Sequence, residues 1–194
     1  MEETNRETDG TGNIWLTSKA RMEAEKRLKQ YDVTSHLVLI WYSLWLLFLS
    51  IFSELFEQYV GAVGIDNLLT FFSASVLVLS VTTWGFKFGS EAALHRDCYL
   101  ELDVLLAAKS TDEEKQKCYS DILKKYPNHS TFDRDRVLYH RIVEMGETLN
   151  NRKGEIKFLK PAQSAFKRKR FRSTAFQFFA FLLPFIASVL LYAL

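Results

Sequence analysis

The chain has 194 residues, 48% apolar and 25% charged, with a formal net charge of +2 and two cysteines. That length suits one compact unit, and the small net charge gives no footprint for nucleic acid. Cys98 and Cys118 stand at no motif spacing, which excludes a disulfide framework and leaves reduced thiols as the default.

The first twelve residues are polar and acidic and are expected to be disordered; no apolar stretch follows a basic start, so a signal peptide is not indicated. Asn13 or Thr17 can cap a helix running to about Tyr31. Ala20, Ala24, Leu28 and Tyr31 share one of its faces and basic residues fill the others, which predicts an amphipathic helix lying at a membrane interface. An apolar block at about 33–53 follows, with no Asp, Glu, Lys or Arg between Val33 and Phe52. After a short loop carrying Glu54, Glu57 and Asp66, a second block at about 67–89 is uncharged from Leu68 to Phe86. The third occupies 173–194 and contains Pro184, which a membrane helix tolerates better than a soluble one. Each block has about the 20 residues that a helix needs to cross a bilayer. Trp41, Tyr42, Trp45 and Trp84 fit aromatic enrichment near its interfaces. Three buried helices of a soluble bundle would keep a polar stripe over such lengths.

Past the second block, Leu94, Cys98, Leu102, Leu105 and Leu106 keep helical spacing to about Lys109. Thr111 and Glu114 form a capping box, Cys118, Ile122, Leu123 and Tyr126 lie on the apolar face of the helix that it starts, and Pro127 ends that helix. Ser130 or Thr131 caps the next, with Leu138, Ile142, Met145 and Leu149 on one face and residues 150–154 as its stop. Residues 151–172 read as a basic amphipathic linker lying along the membrane, with Ile156, Phe158, Leu159 and Phe166 as its apolar side. No strand pattern is visible. The fold class expected is an all-α membrane protein with two to three transmembrane helices and a helical region at 90–150 outside the bilayer.

Lys and Arg set the expected topology. They cluster before the first block, at Lys87 and Arg96 after the second, and at Lys167–Arg172 before the third; the short acidic loop has none. The positive-inside rule then puts the N-terminus and the middle region in the cytoplasm and the C-terminus outside. The run Lys167, Arg168, Lys169, Arg170 and Arg172 can also contact anionic lipid.

Few residues suggest chemistry. Gly10-Thr-Gly12 lacks the rest of a nucleotide fingerprint. His95, Cys98, Cys118 and His129 match no zinc spacing. No nucleophile stands with a base, so neither an enzyme nor a cofactor is expected. The sequon Asn128-His129-Ser130 falls on the cytoplasmic side and is discounted. Inside the blocks, however, His36, Ser43, Ser50 and Glu57 are spaced by seven, and so are Ser73, Ser80 and Lys87. A seven-residue repeat nearly keeps one helix face. Each stripe is either a surface for helix packing, helped by the GxxxG of Gly85 and Gly89, or the wet lining of a pore built by several subunits.

The order of parts resembles the SLATT family, two-transmembrane effector domains associated with SMODS nucleotidyltransferase and SLOG systems. The matching features are Arg21, Ala24, Glu25, Arg27 and Leu28 before the first crossing, and Tyr42-Ser43 within it. Arg96, Tyr99 and Leu102 follow the second, and Tyr126-Pro-Asn128-His129 precedes Asp133. The resemblance covers about 14–150, within a SLATT-like domain at 13–150, and the third crossing departs from the basic plan. It implies a bacterial anti-phage effector in the inner membrane that oligomerises and breaches the bilayer, causing death or arrest. Its partners would be the lipid bilayer, further copies of itself, and a nucleotidyltransferase, nucleotide sensor or reverse transcriptase. The alternative is a non-enzymatic membrane-anchored sensor whose cytoplasmic helices bind a partner protein or nucleotide.

Overall fold

The computed structural model describes residues 12–151 and 154–193. The start expected to be disordered therefore lies outside the described residues, apart from Gly12, which already opens the first helix. That helix, α1 (Gly12–Ile51), runs unbroken for 40 residues because nothing between Asn13 and Ile51 is glycine or proline. It is about 60 Å long, roughly twice the hydrocarbon thickness of a bilayer. Only part of it can sit in lipid. Asn13 and Thr17, expected as caps, lie inside the helix.

Then come α2 (Ser53–Val60), α3 (Ala62–Phe86), α4 (Phe88–Ala107), α5 (Asp112–Lys125) and α6 (Thr131–Leu138). A π-helical turn (Tyr139–Glu144) and the two-residue strands β1 (Asn150–Asn151) and β2 (Gly154–Glu155) lead to α7 (Lys160–Ala193). The strands pair antiparallel, Asn150 with Glu155 and Asn151 with Gly154. The capping boxes at Thr111/Glu114 and Ser130/Asp133 are both formed, as their spacing requires. Helices α1, α3 with α4, and α7 are long and apolar enough to cross a membrane.

The chain divides into two compact units. The polar unit comprises residues 12–29 and 89–170. One of its clusters joins Ile14 of α1 to Cys98, Leu102 and Leu105 of α4 and Ile122 of α5. Another gathers Leu138, Leu149, Phe158 and Phe166, with the Phe132 and Tyr139 rings stacked on Phe166, each at 5.1 Å. The apolar unit comprises residues 30–88 and 171–194. Its core is Val38, Tyr42 and Leu49 of α1 with Ile65, Leu68 and Phe72 of α3, and Phe181, Leu183 and Ala187 of α7 pack against it.

Several expectations are corrected. Ala20, Ala24 and Leu28 are buried in protein, so the face assigned to a lipid interface is a core face. Phe158 and Phe166 are likewise core, and the basic run belongs to the same helix as the third block. The helix after Ser130 stops early. Its last turn widens to i→i+5 bonding, with Met145 N donating to His140 O at 3.0 Å, and Gly146 takes φ +70°. The wider turn rotates Met145 out to 55% exposure, off the face it was expected to share. The stop is therefore Gly146 rather than 150–154. Lys87 adopts φ 47° between α3 and α4, so Gly85 and Gly89 lie on different helices. Apart from its chain neighbours and its own helix backbone, no atom of the described residues lies within 4 Å of where a Gly85 Cβ would stand. Glu57 falls on α2, beyond the end of α1, and is not continuous with the Ser43–Ser50 stripe.

Candidate functional site: a buried ionic clamp and a serine groove

Three stretches far apart in sequence build a polar centre inside the polar unit. Arg21, Glu25 and Arg27 come from α1. His95 and Tyr99 come from α4. Pro127, His129 and Ser130 come from the turn between α5 and α6, and Asp133 from the first turn of α6. Tyr126 is held extended by the proline that follows, and its hydroxyl donates to Glu101 at 2.6 Å, which fixes the turn on α4.

Asp133 is the pivot. It is fully buried and occupies the third position of α6. Its carboxylate accepts from Ser130 N at 3.1 Å and Ser130 Oγ at 2.7 Å, and from Arg27 Nε at 2.8 Å and Nη2 at 3.1 Å. Burial alone would raise its pKa; the bonds from Arg27 and Ser130 outweigh that and hold it below the usual range. Arg21, also fully buried, donates from Nη1 to the Pro127 carbonyl at 2.6 Å. Glu25 ion-pairs with Lys29 at 2.7 Å. Burial pushes its pKa up, and the Lys29 and Tyr99 hydrogen bonds with the charge of Arg96 bring it below the ordinary value. Of the residues that carried the family resemblance, Arg21, Arg27, Tyr99, His129 and Asp133 thus converge, while Arg96 and Asn128 are exposed.

His95, only 5% exposed, was considered in the sequence for metal alone. Burial first, then the Arg21 guanidinium, lower its pKa to about 4; Arg27 and His129 add to this and Asp133 opposes it. His129 is lowered by the same two leading causes. Both rings are neutral at pH 7. Because the unfolded chain takes up a proton near pH 6.5 and the folded His95 near 4, stability is fully present above pH 6.5 and declines as pH falls toward 4. We expect the melting temperature of the purified protein to drop between pH 7 and pH 5, and the drop to shrink in His95→Gln; an identical pH profile in the variant would remove His95 from the cause.

Reactive chemistry is not offered here. The buried Cys98 thiol is pushed up to about 11, chiefly by desolvation, and stays protonated. Among the described residues no three His, Cys, Asp or Glu side chains group as metal ligands.

In the apolar unit, Ser43, Ser50 and Ser73 line one open groove of about 450 Å³ with Leu46, Leu47 and Leu69. Ser43 Oγ donates to Leu39 O at 2.9 Å and Ser73 Oγ to Leu69 O at 2.7 Å. These hydroxyls satisfy their protons within their own helix and can face lipid or water. Ser80 is exposed and lies outside this groove, and His36 at the other end bonds Asp32 O at 2.7 Å. On α7, Lys167, Arg168, Lys169, Arg170 and Arg172 are all exposed. Lys167 sits over the Tyr139 ring at 5.7 Å and Lys169 over Phe132 at 5.0 Å.

The model of the SMODS and SLOG-associating 2TM effector domain family 5 matches residues 5–190. That range includes most of the third apolar helix, which the sequence resemblance had left outside. No curated protein and no solved structure matches.

Proposed function

We propose that this chain, which belongs to family 5 of the SMODS and SLOG-associating 2TM effector domains, is an oligomeric membrane effector whose polar unit restrains a conducting assembly until a partner releases it. Family membership supports the coarser part, a membrane effector of conflict systems. The observation that carries the finer part is a covalent one. Helix α1 holds Arg21 and Arg27 in the clamp and runs unbroken into the first apolar span. Release of the clamp therefore acts on the same helix that carries Ser43 and Ser50.

One copy has too few helices to enclose a pore, so the conducting form requires several. Ser43, Ser50, Ser73 and Ser80 would face its interior. The polar unit lies in the cytoplasm of a bacterial cell, by the distribution of Lys and Arg, and the basic run adds attraction to anionic lipid of about 1 kcal/mol per residue. A nucleotidyltransferase, nucleotide sensor or reverse transcriptase encoded nearby would supply the trigger.

The experiment is membrane potential, read with a voltage-sensitive dye on inducing the gene with and without its neighbours. Depolarisation ahead of growth arrest is expected, and Ser50→Leu or Ser80→Leu is expected to slow it several-fold while the protein stays in the membrane fraction. Unchanged depolarisation in both variants would move the serines to helix packing. A stable potential in every combination would favour the anchor or sensor reading.

A further inference from the structure

We propose that the polar unit binds a phosphate-bearing anion in a cleft formed by α1, α6, the π-helical turn and α7. The cleft has a volume of about 340 Å³, room for a small molecule rather than a bare ion. Lys19 and Lys26 reach it from α1, Arg136 from α6, Arg141 from the π-helical turn and Arg170 from α7. Its carboxylates are Glu23 and Glu144.

The charges do not balance. Glu23 is shared by two cations, Lys26 and Arg136, each at 2.9 Å. Glu144 is engaged by His140 at 2.6 Å. Arg141 is held by Glu147 at 3.0 Å and stacks over Trp15 at 5.3 Å, which orients its guanidinium without covering it. Among the described residues the Lys19 ammonium meets no carboxylate; its neighbour is the Met22 sulfur at 3.7 Å. A concave surface with surplus cations from separate helices favours a polyvalent anion, and guanidinium forks match phosphate oxygens.

A second feature points to the same place. The π-helical turn is the one irregular helical segment among the described residues, and Tyr139, His140, Arg141 and Glu144 of its six residues line the cleft. Such turns are uncommon and recur at functional sites. Here the widened turn brings the Tyr139 ring and Arg141 to one surface beside Phe166, whose ring stacks on Tyr139. An aromatic wall beside cations suits an anion that carries a flat or apolar part.

The phosphate could belong to a soluble molecule or to a lipid headgroup, and binding at this cleft does not depend on whether the spans conduct. The test is titration of pyrophosphate into the full-length protein in phosphatidylcholine nanodiscs, followed by calorimetry, with melting temperature compared between phosphatidylcholine and phosphatidylglycerol nanodiscs. Saturable binding is expected. Lys19→Glu with Arg170→Glu should raise Kd at least tenfold, and the milder Lys19→Gln should move it in the same direction. Lys109→Glu with Lys117→Glu, the same charge change outside the cleft, should leave it unchanged. Such a result assigns the cleft to a soluble phosphate compound. If pyrophosphate does not bind but phosphatidylglycerol raises the melting temperature in the parent and the control pair and not in the cleft variants, the ligand is a headgroup. Absence of both effects, or equal losses in the cleft and control pairs, overturns the site.

Discussion

Asp133→Ala is expected to destabilise the polar unit by about 3–5 kcal/mol, the range for breaking a buried ion pair by removing one partner. Asp133 is wholly enclosed, and the Arg27 side chain is 20% exposed. Deleting the carboxylate strands the guanidinium and also leaves Ser130 N without its acceptor at the start of α6. Asp133→Asn keeps the size and one acceptor and should lose less. Removing both ends of the pair, Arg27→Met with Asp133→Leu, should recover part of the loss, because a matched apolar pair does not pay for desolvated charge. Chemical denaturation in detergent micelles reads these differences; a loss under about 1 kcal/mol for Asp133→Ala would mean that the pair is solvated and holds nothing. In cells the same variant separates the two functions argued for the clamp. If α1 is restrained through Arg27, Asp133→Ala depolarises cells without a trigger. Normal potential with the variant present in the membrane would leave the clamp a structural device only.

Acid works on this centre through different groups at different pH. Asp133, held below its ordinary pKa, contributes stability above the unfolded carboxylate value near 4 and loses it only as pH falls through its folded value. His95 acts earlier, from about pH 6.5 down to about 4. Mild acid therefore favours the unfolded chain, whose His95 takes up the proton, while the Arg27–Asp133 pair is still intact in the folded one.

The division between what could and could not be read from the sequence follows from periodicity. Local signals survive folding. The uncharged blocks became the long apolar helices, Thr111 with Glu114 formed the expected capping box, and Ser130, one of the two caps expected, starts the next helix, because each depends on neighbours three or four residues away. Signals that need a change of backbone geometry were missed. Lys87 in a left-handed conformation and the π-helical turn at Tyr139–Glu144 carry no strong local mark, and each shifted the faces beyond it. Met145 and the Gly85/Gly89 pair were placed by extrapolating a regular helix across them. The apolar face of α1 was correct as a pattern and wrong as to its partner, since Ala20, Ala24 and Leu28 meet protein instead of lipid. Periodicity reports that a face is buried, not against what. The clamp was half visible. Arg21, Arg27 and Asp133 stood out by resemblance, but their pairing over 106 residues has no local cause. His95 had been weighed only as a metal ligand and Arg170 only as a lipid contact, while Lys19, Arg136 and Arg141 gave no signal of a site, because basic residues on helices are ordinarily solvated.

The third apolar helix offers the sharpest test inside the membrane, and it turns on Pro184. Proline has no N–H, so the carbonyl four residues earlier, Ala180, loses its helical donor. The Tyr42 hydroxyl donates to that oxygen at 3.2 Å, and Trp41 Nε1 donates to the next carbonyl, Phe181, at 3.0 Å. Trp45 packs edge-on against Phe185 at 4.8 Å, just past the proline. The first and third apolar segments thus recognise each other by a defect in one and a donor in the other, where lipid supplies no substitute. Tyr42→Phe is expected to cost about 1–3 kcal/mol, the penalty for a buried acceptor left unmade. The cost should vanish when Pro184→Ala restores the helical donor, so the double variant should be more stable than the sum of the single changes predicts. Melting in detergent measures all four proteins. Additive effects would mean that the tyrosine contributes packing alone. Non-additive effects would make the third helix a working part of the bundle that contains the serine groove, as expected of a chain whose family match extends to residue 190.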